Sequence, residues 1–284
     1  FSSYLSPKLV ERLEKEHDVV RIGGDNKEVT VLFTDIKGFT TFSESRSPQE
    51  VVTRLNEYLG AMVQVIDYFD GTVDKFIGDG IMFYWGAPLA QPNHAGLAIS
   101  CILEMKKEME RLNAKWVSEG VESFSIRGGA QSGDVVAGNV GSLGKKMEYT
   151  LIGDTVNQSA RLESAAKYYG VDFLIGESTY LLTCDTYKYR ELDRIRVVGK
   201  QIPVTIYELL GALSETPEKW VAKFDEALEH YRARRWEEAG KCFASVLDEK
   251  PGDRPSKIYL ERCEHYKKNP PSAEWDGVIN RSDK

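Results

Sequence analysis

The sequence predicts an α+β sandwich, with helices packed on an antiparallel or mixed sheet. Residues 28–34 (EVTVLFT) are a β-branched apolar run of strand length. Between residues 48 and 69, apolar side chains recur at Val51, Val52, Leu55, Leu59, Met62, Val63 and Ile66, the spacing of one helix face. Two further apolar runs, 72–77 and 81–85, are joined by Gly78-Asp79-Gly80, which marks a hairpin. Strand, helix, hairpin and helix in that order stack a helical layer on a sheet.

Residues 4–16 (YLSPKLVERLEKE) are expected to form a short amphipathic helix, with Pro7 tolerated in its first turn. A polar link follows over 23–27, and the strand at 28–34 is broken by Asp35-Ile36-Lys37-Gly38. Gly71 ends the helix that starts at Pro48, and a second long helix runs over about 93–118. Strands are expected at 123–131, 134–138 and 146–151, with glycines between them. Asp154 is placed to cap a third helix over 155–168. Two or three more strands follow, including 186–197 and 202–209.

Composition shifts near 214–217 (SETP). Beyond it Phe224, Leu228, Tyr231, Trp236, Ala239, Phe243, Val246 and Pro251 outline an antiparallel helix pair, and 255–267 a further helix. The spacing of Ala239, Phe243, Val246 and Pro251 is similar to the second helix of a tetratricopeptide repeat. An array this short cannot bury its own apolar face, so it is expected to dock on the preceding domain or on a protein partner. The division expected is a leading helix and linker (1–24), one large domain (25–212), a helical tail (217–269) and an irregular end (270–284).

Of the 284 residues 42% are hydrophobic and 29% charged, ordinary for a globular chain with room for one large domain and an appendage. The net charge of −7 gives no electrostatic grip on nucleic acid. Four scattered cysteines without a CxxC pair read as reduced thiols of a cytoplasmic domain. The chain begins at Phe1 and reads as a piece of a longer protein, whose upstream sensor would act through the first helix.

Asp35 ends an apolar strand and Asp79 sits in a hairpin turn, and each alone is an ordinary turn residue. If the strand and the hairpin are neighbours in one sheet, the carboxylates meet at its edge, and divalent cations are the usual remedy for their repulsion. Two such ions about 4 Å apart clamp the attacking and leaving oxygens of a phosphoryl displacement. The turn after Asp35 (Ile36, Lys37, Gly38, Phe39, Thr40, Thr41) leads into a short helical segment whose N–H groups can cradle phosphate oxygens.

Four segments, VTVLFTDIKGFT (29–40), GTVDKFIGDGIMFYWGAP (71–88), GDVVAGNVGS (133–142) and YTLIGDTVNQSARLE (149–163), resemble the successive signature blocks of class III adenylyl and guanylyl cyclases. The resemblance covers about 28–210 and implies a ferredoxin-like core and a head-to-tail homodimer with active sites in the cleft between protomers. It implies that Asp35, Ile36 and Asp79 hold two Mg²⁺ or Mn²⁺ ions per site. The purine-reading pair falls on Lys75 and Thr150, the ribose-orienting asparagine on Asn157 and the transition-state arginine on Arg161. Ile36, Gly38, Phe39 and Thr40 fall around the phosphates. Many members carry a triphosphate-binding lysine in a Val-Lys-Gly-Lys strand; here the stretch is Val197-Val198-Gly199-Lys200, and Lys200 is the available replacement.

Lys75 has only donors and Thr150 can accept, which matches the ring acceptor and exocyclic amino donor of adenine. Guanylyl members typically place Glu and Cys there. The resemblance therefore implies conversion of ATP to cyclic AMP and pyrophosphate. The competing reading is a catalytically silent nucleotide-binding or dimerisation module.

Overall fold

The computed structural model describes residues 23–142, 146–196, 202–213 and 218–280. The helix expected at 4–16, the stretch 197–200 with Lys200, and the boundary at 214–217 lie outside the described residues. No helix among the described residues is long and apolar enough to cross a membrane.

Strands β1 (Gly23–Lys37), β2 (Thr72–Ile77), β3 (Gly80–Trp85), β4 (Ser125–Ser142), β6 (Phe173–Gly176), β8 (Val204–Ala212), β7 (Tyr187–Arg196) and β9 (Ile279–Asn280) lie side by side in the order β2-β3-β1-β4-β6-β8-β7-β9. A further strand, β5 (Lys146–Ile152), pairs with the far half of β4. β4 runs parallel to β6 and β7 to β9, while the other pairings are antiparallel. The sheet is mixed and the fold is α+β, as the sequence predicts.

One face is covered by α2 (Pro48–Tyr68) and α3 (His94–Ser118). Their buried stripes, Tyr58, Met62 and Ile66 on α2 and Ile99, Ile102, Met105 and Met109 on α3, pack with Leu32, Ile81, Phe83 and Trp85 of the sheet. α2 begins with a complete capping box between Ser47 and Glu50, with Pro48 behind the cap. The alternate residues of the same strands, Val29, Val31, Met82 and Tyr84, face the other way and pack with Val135, Ala137 and Leu151. On that side lies α4 (Asp154–Tyr169).

Three expectations are corrected. Residues 23–27 are not a link but the start of β1, paired with 135–139 of β4. The strands expected at 123–131 and 134–138 are one strand, because Gly133 between them occupies a ladder position opposite Val29 of β1 rather than a turn. Asp154 does not cap its helix: Gly153 is the N-cap, and Asp154 is the first helical residue, accepting from the Gln158 side chain. Its carboxylate still suits the positive end of the helix.

The tail forms α6 (Lys219–Arg232), α7 (Trp236–Glu249) and α8 (Arg254–Lys268), following a short helix α5 (Glu177–Thr183). These helices share one core with the preceding domain: Trp220, Phe224, Tyr231, Phe243 and Tyr259 pack with Leu162, Ala166 and Tyr169 of α4 and with Leu192 and Ile206 of the sheet. Residues 270–278 are largely irregular, and 279–280 return to the sheet edge as β9.

Candidate active site

β1 carries Asp35 near its end, directly opposite Arg127 of β4. β3 pairs with β1 so that Thr34 faces Ile81, which brings the turn before β3 against the end of β1. A side chain at Gly80 would place its Cβ 2.8 Å from the Thr34 carbonyl oxygen, so only glycine lets the turn sit there. In that position Asp79 Oδ2 accepts from the Ile36 N–H at 3.2 Å. Burial, with the hydrogen bond to Asp35 and its charge added, pushes the Asp79 carboxyl up to about 6. Asp35, Ile36 and Asp79 are thus brought together.

Arg127, which the sequence reading did not single out, completes this corner. Its Nη2 donates to Asp35 and its Nε donates to Glu163 Oε1 at 2.9 Å, with the guanidinium largely buried. Arg127 therefore ties the carboxylate pair to α4, the helix bearing Asn157 and Arg161. Glu163 and Arg127 are legible only once β1 is known to pair with β4, a contact spanning 92 residues.

Gly38 caps α1 (Phe39–Ser45) at φ 81, without a side-chain cap. The first-turn amides of Phe39 and Thr40 precede any intrahelical carbonyl partner, so they are donors for an anion beside the carboxylates.

α4 lies directly on the strands. Ser159 Oγ donates to the carbonyls of Val31 and Gly129 at 2.8 and 2.9 Å, and a Cβ at Gly129 would come within 2.3 Å of the Glu163 nitrogen. With Ser159 and Leu162 turned inward, Asn157 is exposed and Arg161 half-buried, four residues apart on one face.

Lys75 and Thr150 form a second cluster, also brought together, between β2 and β5. The link is Asp74, whose side chain is 1% exposed. Thr150 Oγ1 donates to Asp74 Oδ2 at 2.7 Å, and Lys75 Nζ lies 3.2 Å from Asp74 Oδ1 and 3.4 Å from Glu148 Oε2. Asp74 was likewise not anticipated. Lys75 and Asp79 share one hairpin, but their side chains belong to different clusters.

Residues 24–211 match the family model described as the adenylate and guanylate cyclase catalytic domain. The chain is 36% identical over 214 residues to adenylate cyclase 1 of Rhizobium meliloti, a match covering 75% of this chain and 32% of that protein. It is 32% identical over 217 residues to an adenylate cyclase of Anabaena cylindrica, covering 74% of this chain and 41% of the relative. The chain thus spans about a third to two fifths of the length of these curated relatives. Among solved structures it resembles the adenylyl cyclase CyaB from P. aeruginosa (TM-score 0.63, 34% identity, 69% of this chain and 100% of that one). It also resembles the guanylyl cyclase Cya2 (TM-score 0.62, 33% identity, 68% and 96%). By sequence and by fold, the chain belongs to the class III adenylate and guanylate cyclase catalytic domain family.

Proposed function

We propose that this chain is an adenylyl cyclase that closes ATP to 3′,5′-cyclic AMP with release of pyrophosphate, at composite sites in a head-to-tail homodimer. The observation carrying the proposal is the meeting of Asp35 and Asp79 at the end of β1, beside Arg127. Two crowded carboxylates with the backbone of Ile36 are a hard-oxygen donor set whose repulsion a dication relieves, so they fit two Mg²⁺ or Mn²⁺ ions. Bound there, such ions would lower the pKa of the ribose 3′-hydroxyl and hold the leaving oxygens.

The chain's own residues then position and neutralise, which is most of what phosphoryl transfer asks of a protein. Lys75 donates to the adenine ring nitrogen and Thr150 accepts from the 6-amino group. Asn157 turns the ribose so that the 3′-oxygen lies in line with the α-phosphorus. Arg161 stabilises the charge that develops on the α-phosphate. The amides of Gly38, Phe39 and Thr40 receive phosphate oxygens, with Lys200 as a further triphosphate contact. One protomer supplies Asp35 and Asp79, and its partner supplies the base-reading and transition-state groups. The unit is read as the cytoplasmic output of a longer signalling protein, with a tetratricopeptide-like tail whose outer face is open to a protein partner.

Complementation tests the composite site. Asp35→Ala and Arg161→Ala proteins are each expected to be inactive. Mixed, they form heterodimers with one intact site, restoring roughly a quarter of wild-type cyclic AMP production after statistical exchange. No recovery once exchange has been verified by native mass spectrometry defeats the arrangement.

A further inference from the structure

A threonine hydroxyl is an ambiguous reader of a base, since it can donate or accept. Adenine presents an amino donor at position 6, and guanine or hypoxanthine an oxygen acceptor, so a freely rotating hydroxyl discriminates poorly between them. Here the Thr150 hydroxyl is not free. Its one proton is given to Asp74 at 2.7 Å, and an ionised carboxylate can only accept. The same carboxylate lies 3.2 Å from the Lys75 ammonium and receives the Leu151 backbone N–H.

The backbone explains how neighbours on one strand come to serve one cluster. Adjacent strand residues normally point to opposite faces. The ladder between β2 and β3 pairs Val73 with Phe83 and Lys75 with Met82, so Asp74 is the extra residue of a β-bulge. A bulge re-aims side chains, and this one lets Asp74 and Lys75 meet Thr150 together.

We propose that Asp74 is the positioning residue that makes Thr150 an adenine reader, by consuming the hydroxyl proton and leaving only lone pairs for the base. This rests on the reading of Lys75 and Thr150 as the purine-reading pair. Without the carboxylate the hydroxyl could turn and donate to a 6-oxo group, and the site would lose its preference rather than its fold.

The test compares kcat/KM for ATP and for inosine triphosphate, which differs at position 6 and the adjoining ring nitrogen, using the full chain with Mn²⁺. Asp74→Asn is expected to lower the ATP to inosine triphosphate ratio about tenfold, because an amide can itself donate to Thr150 and release its proton. Thr150→Val should lower the ratio by itself, and adding Asp74→Asn to it should change nothing further. A merely structural role would lower both substrates together. An unchanged ratio in Asp74→Asn, with a changed ratio in Thr150→Val, overturns the inference and leaves the purine-reading pair standing. An unchanged ratio in both overturns the pair itself. If Asp74→Asn does not melt cooperatively, Asp74→Ser replaces it, and the wild-type protein supplies an independent readout. Purine riboside triphosphate, which lacks the 6-amino group, must then be used about tenfold less well than ATP. Equal use of the two by the wild type also overturns the inference.

Discussion

Asp35 and Asp79 meet because the backbone forces them to, not because they attract. The β1–β3 ladder and the close approach at Gly80 fix the turn against the strand end. The Ile36 N–H, the backbone amide of Asp79 itself and Arg127 soften the repulsion. The two carboxylates therefore crowd negative charge at the position proposed for the cations. Asp79→Asn keeps the side-chain shape and the acceptor for Ile36 while removing one charge. It is expected to abolish turnover yet stabilise the metal-free protein by roughly 1 kcal/mol, a modest figure because the group is part-exposed and screened. Urea unfolding in EDTA measures this, and an Asp79→Asn protein less stable than wild type would refute the account. At this scale the sequence placed a strand-end aspartate and a turn aspartate from local chain alone, whereas Asn157 and Arg161 were picked out only by the family resemblance. Arg127, Glu163 and Asp74 were not legible. Arg127 meets Asp35 through a strand pairing 92 residues apart in sequence, Glu163 meets Arg127 through the packing of α4 on β4, and Asp74 is placed by a bulge that no periodicity announces.

Elements were legible in proportion to their length and period. α2, α3 and the β2–β3 hairpin fall where the apolar spacing puts them. β6 and α5 are too short to carry a period, and β4 runs through glycines that sequence reads as breaks. A buried polar chain links α3, β1, β4 and α5. His94 Nδ1, at the start of α3, lies 2.7 Å from Thr30 Oγ1 of β1, which lies 2.7 Å from Ser132 Oγ of β4, itself 2.9 Å from Thr179 Oγ1 of α5. Burial holds the His94 pKa below its ordinary 6.5, against the opposing pull of Glu28 4.0 Å away. The unfolded chain then binds the proton more readily than the folded one, so stability rises with pH across that window. Going down, the contribution is complete above about pH 6.5 and is lost as pH falls from there toward the depressed folded value. His94→Gln, which can keep the bond to Thr30, should flatten this part of the profile. Urea midpoints for both proteins between pH 7.5 and 5 test it, and identical slopes would show that His94 does not titrate in this way.

At the scale of the whole molecule, the tail behaves as the second wall of the sandwich rather than a separate module. Arg190 of β7, with a side chain 0% exposed, donates to both oxygens of Asp253 at 2.9 Å and to Glu208, and its guanidinium stacks on Trp220 and Phe224. Asp253 also caps α8 by accepting from the Ser256 amide at 3.0 Å. Tyr169, the last residue of α4, and Arg262 of α8 both donate to Asp193 at 2.7 Å. The helix that presents Asn157 and Arg161 is therefore anchored at its far end by the tail. Removing residues 217–284 would uncover Leu162, Ala166, Tyr169 and Ile206 and strip Trp220, Phe224, Tyr231, Phe243 and Tyr259 from the core. Each large apolar side chain contributes about 1.5–3 kcal/mol on burial. Losing several at once is comparable with the entire stability of a domain, roughly 5–15 kcal/mol. Arg190 would in addition lose one carboxylate partner, and stranding part of a buried ion pair costs about 3–5 kcal/mol. The truncated chain is expected to be insoluble, or to melt without cooperativity and make no cyclic AMP. Solubility, a circular-dichroism melt and turnover decide the matter together. A truncated protein that melts cooperatively and retains wild-type turnover would show that α4 holds its geometry without this wall, and that the tail is an accessory after all.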